Sequence, residues 1–404
     1  MNDLIGFIAI SLVFFITLLF AFRWKAISNI LLVAFFIRVL FLIINNYFFY
    51  LPDGNMDALN FELKAYKWSR DGFFGVFNYY VGPDAYFLSV LLAIPYSLFG
   101  RSMLMAQSFS ILVSIGSVFL GWLLSKKLWD NRTAIKVGWT IALFPTLVSY
   151  SVLTMREAYV TFFLLVAFYG IVKWTRDNNI KSIILAISGF IIACFFHGAA
   201  AVGLILFLLI VIFDSLKKGY KLILNKRINI KTLVVVFFTS LPIISYGSGY
   251  ITFTYIGNID QITNPNLLKF AINNKIKGEA SFPEWTKVDS ISEAIYKVPA
   301  RSIFFLISPL PWDIKRPKHF IGLLDSFLYL YIYYLIFRNR KAILKDPALK
   351  IISFLLLSYF IVFGAGTGNF GTGIRHRTKF VITLLLLAAP LIPKIIISKK
   401  KKIK

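Results

Sequence analysis

Apolar runs long enough to cross a bilayer recur from one end of the chain to the other. A span needs about 20 apolar residues, with ~17 as a lower limit. By that measure the sequence predicts eleven: 4–22, 28–50, 103–125, 136–153, 158–174, 181–197, 199–214, 231–248, 320–337, 350–366 and 379–396. Two further apolar pieces, 84–99 and 301–312, are too short or too rich in proline to span, and read as helices at the membrane interface. Only His197-Gly198 separates the runs 181–197 and 199–214. The first run has no basic segment before it and no small-residue cleavage site, so it reads as a retained helix. The expected fold class is all-α: a polytopic membrane helix bundle of about eleven transmembrane helices, one integral membrane domain over 1–404. Two loops stand out, 51–102 and 247–319. In the first, Leu59, Leu63, Tyr66 and Trp68 interleave with Glu62, Lys64 and Lys67, an amphipathic helical pattern over Asp57 to Arg70.

Charge orients these segments. Arg23 and Lys25, the loops 126–136, 173–181, 217–231 and 338–350, and the tail 399–404 hold 25 of the 44 Lys and Arg but, even with the adjacent Asp214, only four of the 18 carboxylates. The positive-inside rule makes that face cytoplasmic. With an odd number of spans, the N-terminus and both large loops then lie outside. The outer face collects Asp53, Asp57, Glu62, Asp71, Asp84, Glu157 and all three histidines. A net charge of +26 would suggest nucleic acid in a soluble protein, but here it borders membrane segments in a chain that is 58% hydrophobic with mean hydropathy +0.75. Lipid headgroups account for it better, and nucleic acid is not expected. Cys194, the only cysteine, lies in an apolar run, and His197, His319 and His376 lack metal-ligand spacing. No nucleotide fingerprint or nucleophile elbow appears. No cofactor is expected, although a divalent metal stays open.

Chemistry is therefore sought on the outer face. Asp53 and Asp57 sit at the mouth of the second span, where a carboxylate can act as a general base. The plainer reading is a Pro-Asp-Gly turn at Asp53 and a helix cap at Asp57. Arg156-Glu157 falls between two spans with almost no loop to hydrate it, which points to a polar cavity or to an interfacial ion pair. In the glycine-rich stretch 364–377, Arg375 and Arg377 can fork onto phosphate oxygens while glycine N–H groups approach the ligand. His376 between them is a donor, or a base if its pKa is not driven down. A flexible turn with basic anchors is the alternative. His197 ends a helix, Arg38 lies midway along the second span, and Arg301, Lys315, Arg316 and Lys318 could guide an anionic headgroup.

The stretch 28–175 resembles the GT-C superfamily of membrane glycosyltransferases. Asp57-Ala58 opens a helix, followed by Ala65 and Gly72. An apolar juxtamembrane helix then ends in Tyr96-Ser97-Leu98-Phe99-Gly100, and a span ends in Ser125-Lys126-Lys127-Leu128-Trp129. Met155-Arg156-Glu157 and the Gly368-to-Arg377 stretch are similar to bacterial O-antigen (Wzy-type) polysaccharide polymerases. The resemblance implies a GT-C-like fold with external juxtamembrane helices. It implies transfer from undecaprenyl (di)phosphate-linked sugars at the outer face of a bacterial inner membrane, most simply polymerisation of O-antigen or capsule repeat units. Lipid-linked donor and acceptor would be the partners, with room for a chain-length regulator protein. Asp57, His376 or Glu157 would be catalytic. Arg156, Arg375 and Arg377, with His197 and Arg301, would hold lipid phosphate, and Asp53 would lie on the acceptor side. Transfer of one sugar from a lipid monophosphate is the alternative within this class. A flippase of lipid-linked sugars is the alternative outside it.

Overall fold

The structure is a computed structural model that describes residues 3–83, 85–224, 278–316 and 319–393, with Asn273 and Ile276. The expected span 231–248, Asp84 and Lys318 lie outside the described residues. Helix α1 (Asp3–Arg23) and helix α2 (Ser28–Tyr47) form an antiparallel hairpin closed by Tyr47 Oη donating to Asp3 at 3.3 Å. The chain then runs along one end of the bundle as α3 (Asp57–Ser69), the turn α4 (Gly72–Gly75) and α5 (Phe87–Phe99). Next come α6 (Met103–Leu128), α7 (Asn131–Leu143), α8 (Pro145–Ser151), α9 (Glu157–Asp177), α10 (Ile180–Phe196) and α11 (Ala201–Leu224). The last group is α12 (Ile291–Ile307), α13 (His319–Lys345), α14 (Pro347–Gly366), α15 (Phe370–Thr378) and α16 (Val381–Ala388). Ordered structure other than helix is limited, among the described residues, to one isolated bridge between Ser281 and Asn369.

Seven of the described helices are long and apolar enough to cross a membrane: α1, α2, α6, α9, α11, α13 and α14. The eleven expected from the sequence are thus matched only in part. The run 136–153 is not one helix. Pro145 lacks an N–H and keeps Phe144 extended at φ −66°, ψ 120°, so α7 stops and α8 starts afresh. The run 181–197 is the 17-residue α10, and the described part of the last run, to 393, holds the short apolar helix Val381–Leu391. The piece 84–99 is the short helix expected. The piece 301–312 belongs to a longer helix, because Ser290 caps α12 by accepting from Glu293 N at 3.2 Å, well upstream of Arg301.

Among the described residues, the charge partition read along the chain is also a partition in space. At one end of the bundle, Trp129 Nε1 donates to Leu386 O at 2.9 Å, and Lys136 Nζ donates to Pro390 O at 3.1 Å and Ile392 O at 2.8 Å. At the same end Arg176 pairs with Asp346, and Lys218 Nζ donates to Asn178 at 2.9 Å. At the opposite end lie Asp3, α3, α5 and the starts of α6 and α9. There Glu62, fully buried, accepts from Arg101 Nε and Nη2 at 2.8 Å each and from Tyr96 Oη at 3.0 Å, which fastens α5 and the following loop onto α3.

Helices α9 and α10 meet through small residues. A Cβ on Gly170 would lie 2.5 Å from Ala186 N, and one on Gly189 would lie 2.5 Å from Ala167 N. Both obstacles are backbone, so neither can move aside without parting the helices. Gly170→Val is expected to destabilise the protein by about 1–3 kcal/mol, read as a lower thermal midpoint in detergent. An unchanged midpoint would show that the two helices separate without loss.

Candidate functional site

The site grows from the start of α9. After α8 the chain turns through 152–156, and Thr154 Oγ1 donates to Ala58 O at 2.6 Å, which pins this turn to the first turn of α3. Glu157 then occupies the N-terminus of α9, where the helix dipole favours a carboxylate. The turn before α15 is anchored from another quarter. Phe282 N donates to Gly368 O at 2.9 Å, Phe370 N donates to Ala280 O at 2.9 Å, and Asn369 caps α15 by accepting from Thr372 N at 2.8 Å. The glycine-rich stretch is therefore a helix end, a short ladder with 280–282 and a new helix.

Helix α15 delivers its basic residues in two directions. Arg375 and Lys379 are four apart and share a face. Glu157 Oε1 meets Lys379 Nζ at 3.1 Å, Arg375 Nε at 3.4 Å and His376 Nδ1 at 3.9 Å. Lys379 Nζ also lies 2.6 Å from His376 Nδ1. The outer edge of Arg375 pairs with Asp57 through Nη1. Beside them Asp53, at φ +66° in the turn closed by Gly54 N donating to Leu51 O at 2.8 Å, accepts from Tyr150 Oη at 3.0 Å. Burial pushes the Asp53 carboxyl above its usual range, against the pull of Arg375 and of the Tyr150 hydrogen bond. Arg156 lines the wall, with Nη1 donating to Phe196 O at 3.2 Å and the guanidinium 5.4 Å from the Phe61 ring. The His197 ring stands edge-on to His376 at 5.4 Å and 5.0 Å from Phe363. Below Glu157 a narrow cavity, with room for about one water molecule, leads to Arg38 past Ser114, Ser117, Ser151 and Thr161.

The structure thus brings together Asp53, Asp57, Arg156, Glu157, His197, Arg375 and His376, with the directly paired Asp57 and Arg375 separated by 318 positions in sequence. It excludes others. Arg377 turns away and is fully buried. Its five N–H groups go to Asp325 (Nε at 3.3 Å, Nη2 at 2.8 Å), Ser326 Oγ at 3.0 Å, Leu306 O at 3.1 Å and Ser308 O at 2.8 Å. It has no donor left for a lipid phosphate, so the expected phosphate role is replaced by a structural one. Arg301 donates to Thr367 O at 2.8 Å and Gly364 O at 3.4 Å and secures the end of α14. Arg316 pairs with Glu279 on the surface. Arg38 is buried against Ser114 Oγ at 2.8 Å and the carbonyls of Ala34 and Ala142 at 3.0 and 3.2 Å.

Two expected roles change. Asp57 makes no capping hydrogen bond; Met56 is the N-cap, and the Asp57 carboxylate is turned to Arg375. His376 is a poor base, because burial, then Lys379 and Arg375, push its imidazole well below the usual value, and Nδ1 already lies 2.6 Å from Lys379 Nζ. The sequence reading missed Lys379, Tyr150 and Asp325. The first was hidden as the opening residue of an apolar run, though its spacing of four from Arg375 was visible. Asp325 was the one carboxylate inside the run 320–337, a signal in itself. Tyr150 carried none. Among the described residues no group of three His, Cys, Asp or Glu side chains is placed to hold a metal ion.

Fold and site together define a polytopic α-helical membrane protein with a charge cluster at the end opposite its basic loops. No family model matches the chain, and no curated protein or solved structure matches it either.

Proposed function

We propose that the protein is a membrane glycosyltransferase that acts on undecaprenyl (di)phosphate-linked sugars at the outer face of a bacterial inner membrane and joins polysaccharide repeat units. The observation that carries this reading is Arg375, held between the buried Glu157 and the half-exposed Asp57 at the less basic end of the bundle. The guanidinium supplies a forked donor for phosphate oxygens. The carboxylate next to it supplies a proton acceptor. In the reaction the acceptor hydroxyl oxygen bonds to the sugar C1 as the C1–O bond to phosphate breaks. The hydroxyl proton passes to Asp57, and the bonding pair leaves on the phosphate oxygen beside Arg375. Arg156 and His197 line the same recess and add positive or hydrogen-bonding character to it. Positioning of two lipid-borne substrates accounts for most of the rate.

The test is a purified preparation in detergent supplied with an undecaprenyl-diphosphate oligosaccharide. A ladder of lengthened oligosaccharides is expected. A single added sugar from a lipid-monophosphate donor would instead support the simpler transferase, and no product from either donor would sink the enzyme reading. A flippase yields no product in detergent, so the same assay separates that class. Orientation has its own check. With the buried Cys194 replaced by Ala, Ser292→Cys should react with an impermeant maleimide added to intact cells, and Asp177→Cys should not, because the basic end faces inward. The opposite labelling pattern would place the site on the cytoplasmic side.

A further inference from the structure

The charges of the cluster balance as the protein stands. Among the described residues, Arg156, Arg375 and Lys379 meet Glu157, Asp57 and Asp53. An incoming diphosphate brings at least two more negative charges, so it must displace one of the carboxylates from its cation. The geometry says which. Glu157 is 2% exposed and has three basic neighbours, with Lys379 Nζ at 3.1 Å, itself fully buried. Moving it would strand a buried lysine. Asp57 is 50% exposed, its pair with Arg375 is screened by solvent, and it can swing into water at little cost. Arg375 thus has one permanent partner, on its Nε side, and one exchangeable partner, on Nη1.

We propose that the outer edge of Arg375 is an exchangeable anion site, closed at rest by Asp57 and taken over by the diphosphate of a lipid-linked donor, with Glu157 and Lys379 as the fixed anchor that keeps the guanidinium aimed. Only the identity of the ligand rests on the transferase reading above. The exchange has a consequence for that reaction. While Asp57 is paired with Arg375 its Oδ2 is held against the guanidinium, and donor binding releases it. The acceptor hydroxyl therefore meets a carboxylate released from Arg375 only after the donor is in place. Glu157 and Lys379 act here as positioning residues, since they touch Arg375 and His376 and not the substrate.

Calorimetric binding of inorganic pyrophosphate to the full-length protein in detergent tests this without any turnover. Asp57→Asn removes the internal competitor and should tighten pyrophosphate binding about fivefold, equivalent to about 1 kcal/mol. Asp53→Asn removes the same charge a short distance away, from a carboxylate hydrogen-bonded to Tyr150, and should tighten it clearly less. Equal gains for the two variants would mean that only net charge matters, and unchanged or weaker binding in Asp57→Asn would mean that Asp57 does not compete; either result overturns the exchange. Arg375→Ala should lose the gain conferred by Asp57→Asn in the double variant, and a gain that persists there would also overturn it. The two readings fail separately. Tighter pyrophosphate binding in Asp57→Asn with no glycosyl product keeps the anion site and removes the transferase. A product ladder with equal binding gains keeps the transferase and removes the exchange.

Discussion

Asp57→Asn is expected to cut glycosyl transfer at least about 100-fold while the protein folds and its donor lipid still binds. A positioned general base is worth typically 10²–10⁴ in rate. The amide keeps the size of the side chain and cannot hold the proton. The change should cost little stability. Asp57 is half exposed and makes no capping hydrogen bond, and an exposed ion pair contributes ~0–1 kcal/mol. Asp57→Ser should behave as Asp57→Asn does, whereas a helix cap would be rescued by serine. Arg375→Lys belongs with this result. A point ammonium cannot span Glu157 on one edge and phosphate on the other, so a loss above ~10-fold is expected. The measurement is initial rate in the purified lipid-linked assay. Near-native rates for both the Asn and Ser variants would eliminate Asp57 as the base and leave Glu157 as the next carboxylate, although its buried pairing makes it a less mobile proton acceptor.

Arg377→Ala should give the opposite pattern, loss of the folded protein rather than of chemistry. Arg377 and Asp325 are both buried, and removing the arginine leaves a carboxylate and two carbonyls without their donors. Breaking a buried pair from one side costs about 3–5 kcal/mol. A sharply lower thermal midpoint and poor recovery from the membrane are expected. Removing Asp325 as well should recover part of that loss, because the uncompensated charge goes with it. The fraction that remains folded should bind donor lipid normally. If Arg377→Ala kept the wild-type midpoint and lost only activity, Arg377 would belong in the site after all.

The contrast between Arg375 and Arg377 shows where sequence reasoning runs short. Both stood in one glycine-rich, basic stretch, and forked phosphate contacts looked equally open to each. Residues two apart on a helix point to nearly opposite sides. Once 370–378 is helical, one arginine meets Glu157 and the other meets Asp325, and nothing short of the packing of α9 and α13 says which is which. Lys379 was lost for a related reason. A lysine that opens an apolar run reads as a boundary residue in contact with headgroups, yet here it is buried under Glu157.

Taken alone, the sequence determined that the chain is helical and apolar enough to cross a membrane many times, that its basic loops share one end, and that Asp57 opens an amphipathic helix over the mouth of the second span. These are properties of contiguous segments: the length of an apolar run, the sign of the charges flanking it, and a 3.6-residue period are all complete within a window of about 20 residues. Tertiary structure decided which runs are unbroken helices, as at Phe144-Pro145, and which charges meet. The Arg375–Asp57 pair joins residues 318 positions apart, and Glu157 finds Lys379 across 222. Such pairings depend on helix rotation and crossing, which are set by backbone-to-backbone contacts such as Gly170 against Ala186. A buried charge must find its partner wherever packing has placed it, because leaving it unpaired costs more than the rest of the local structure can supply.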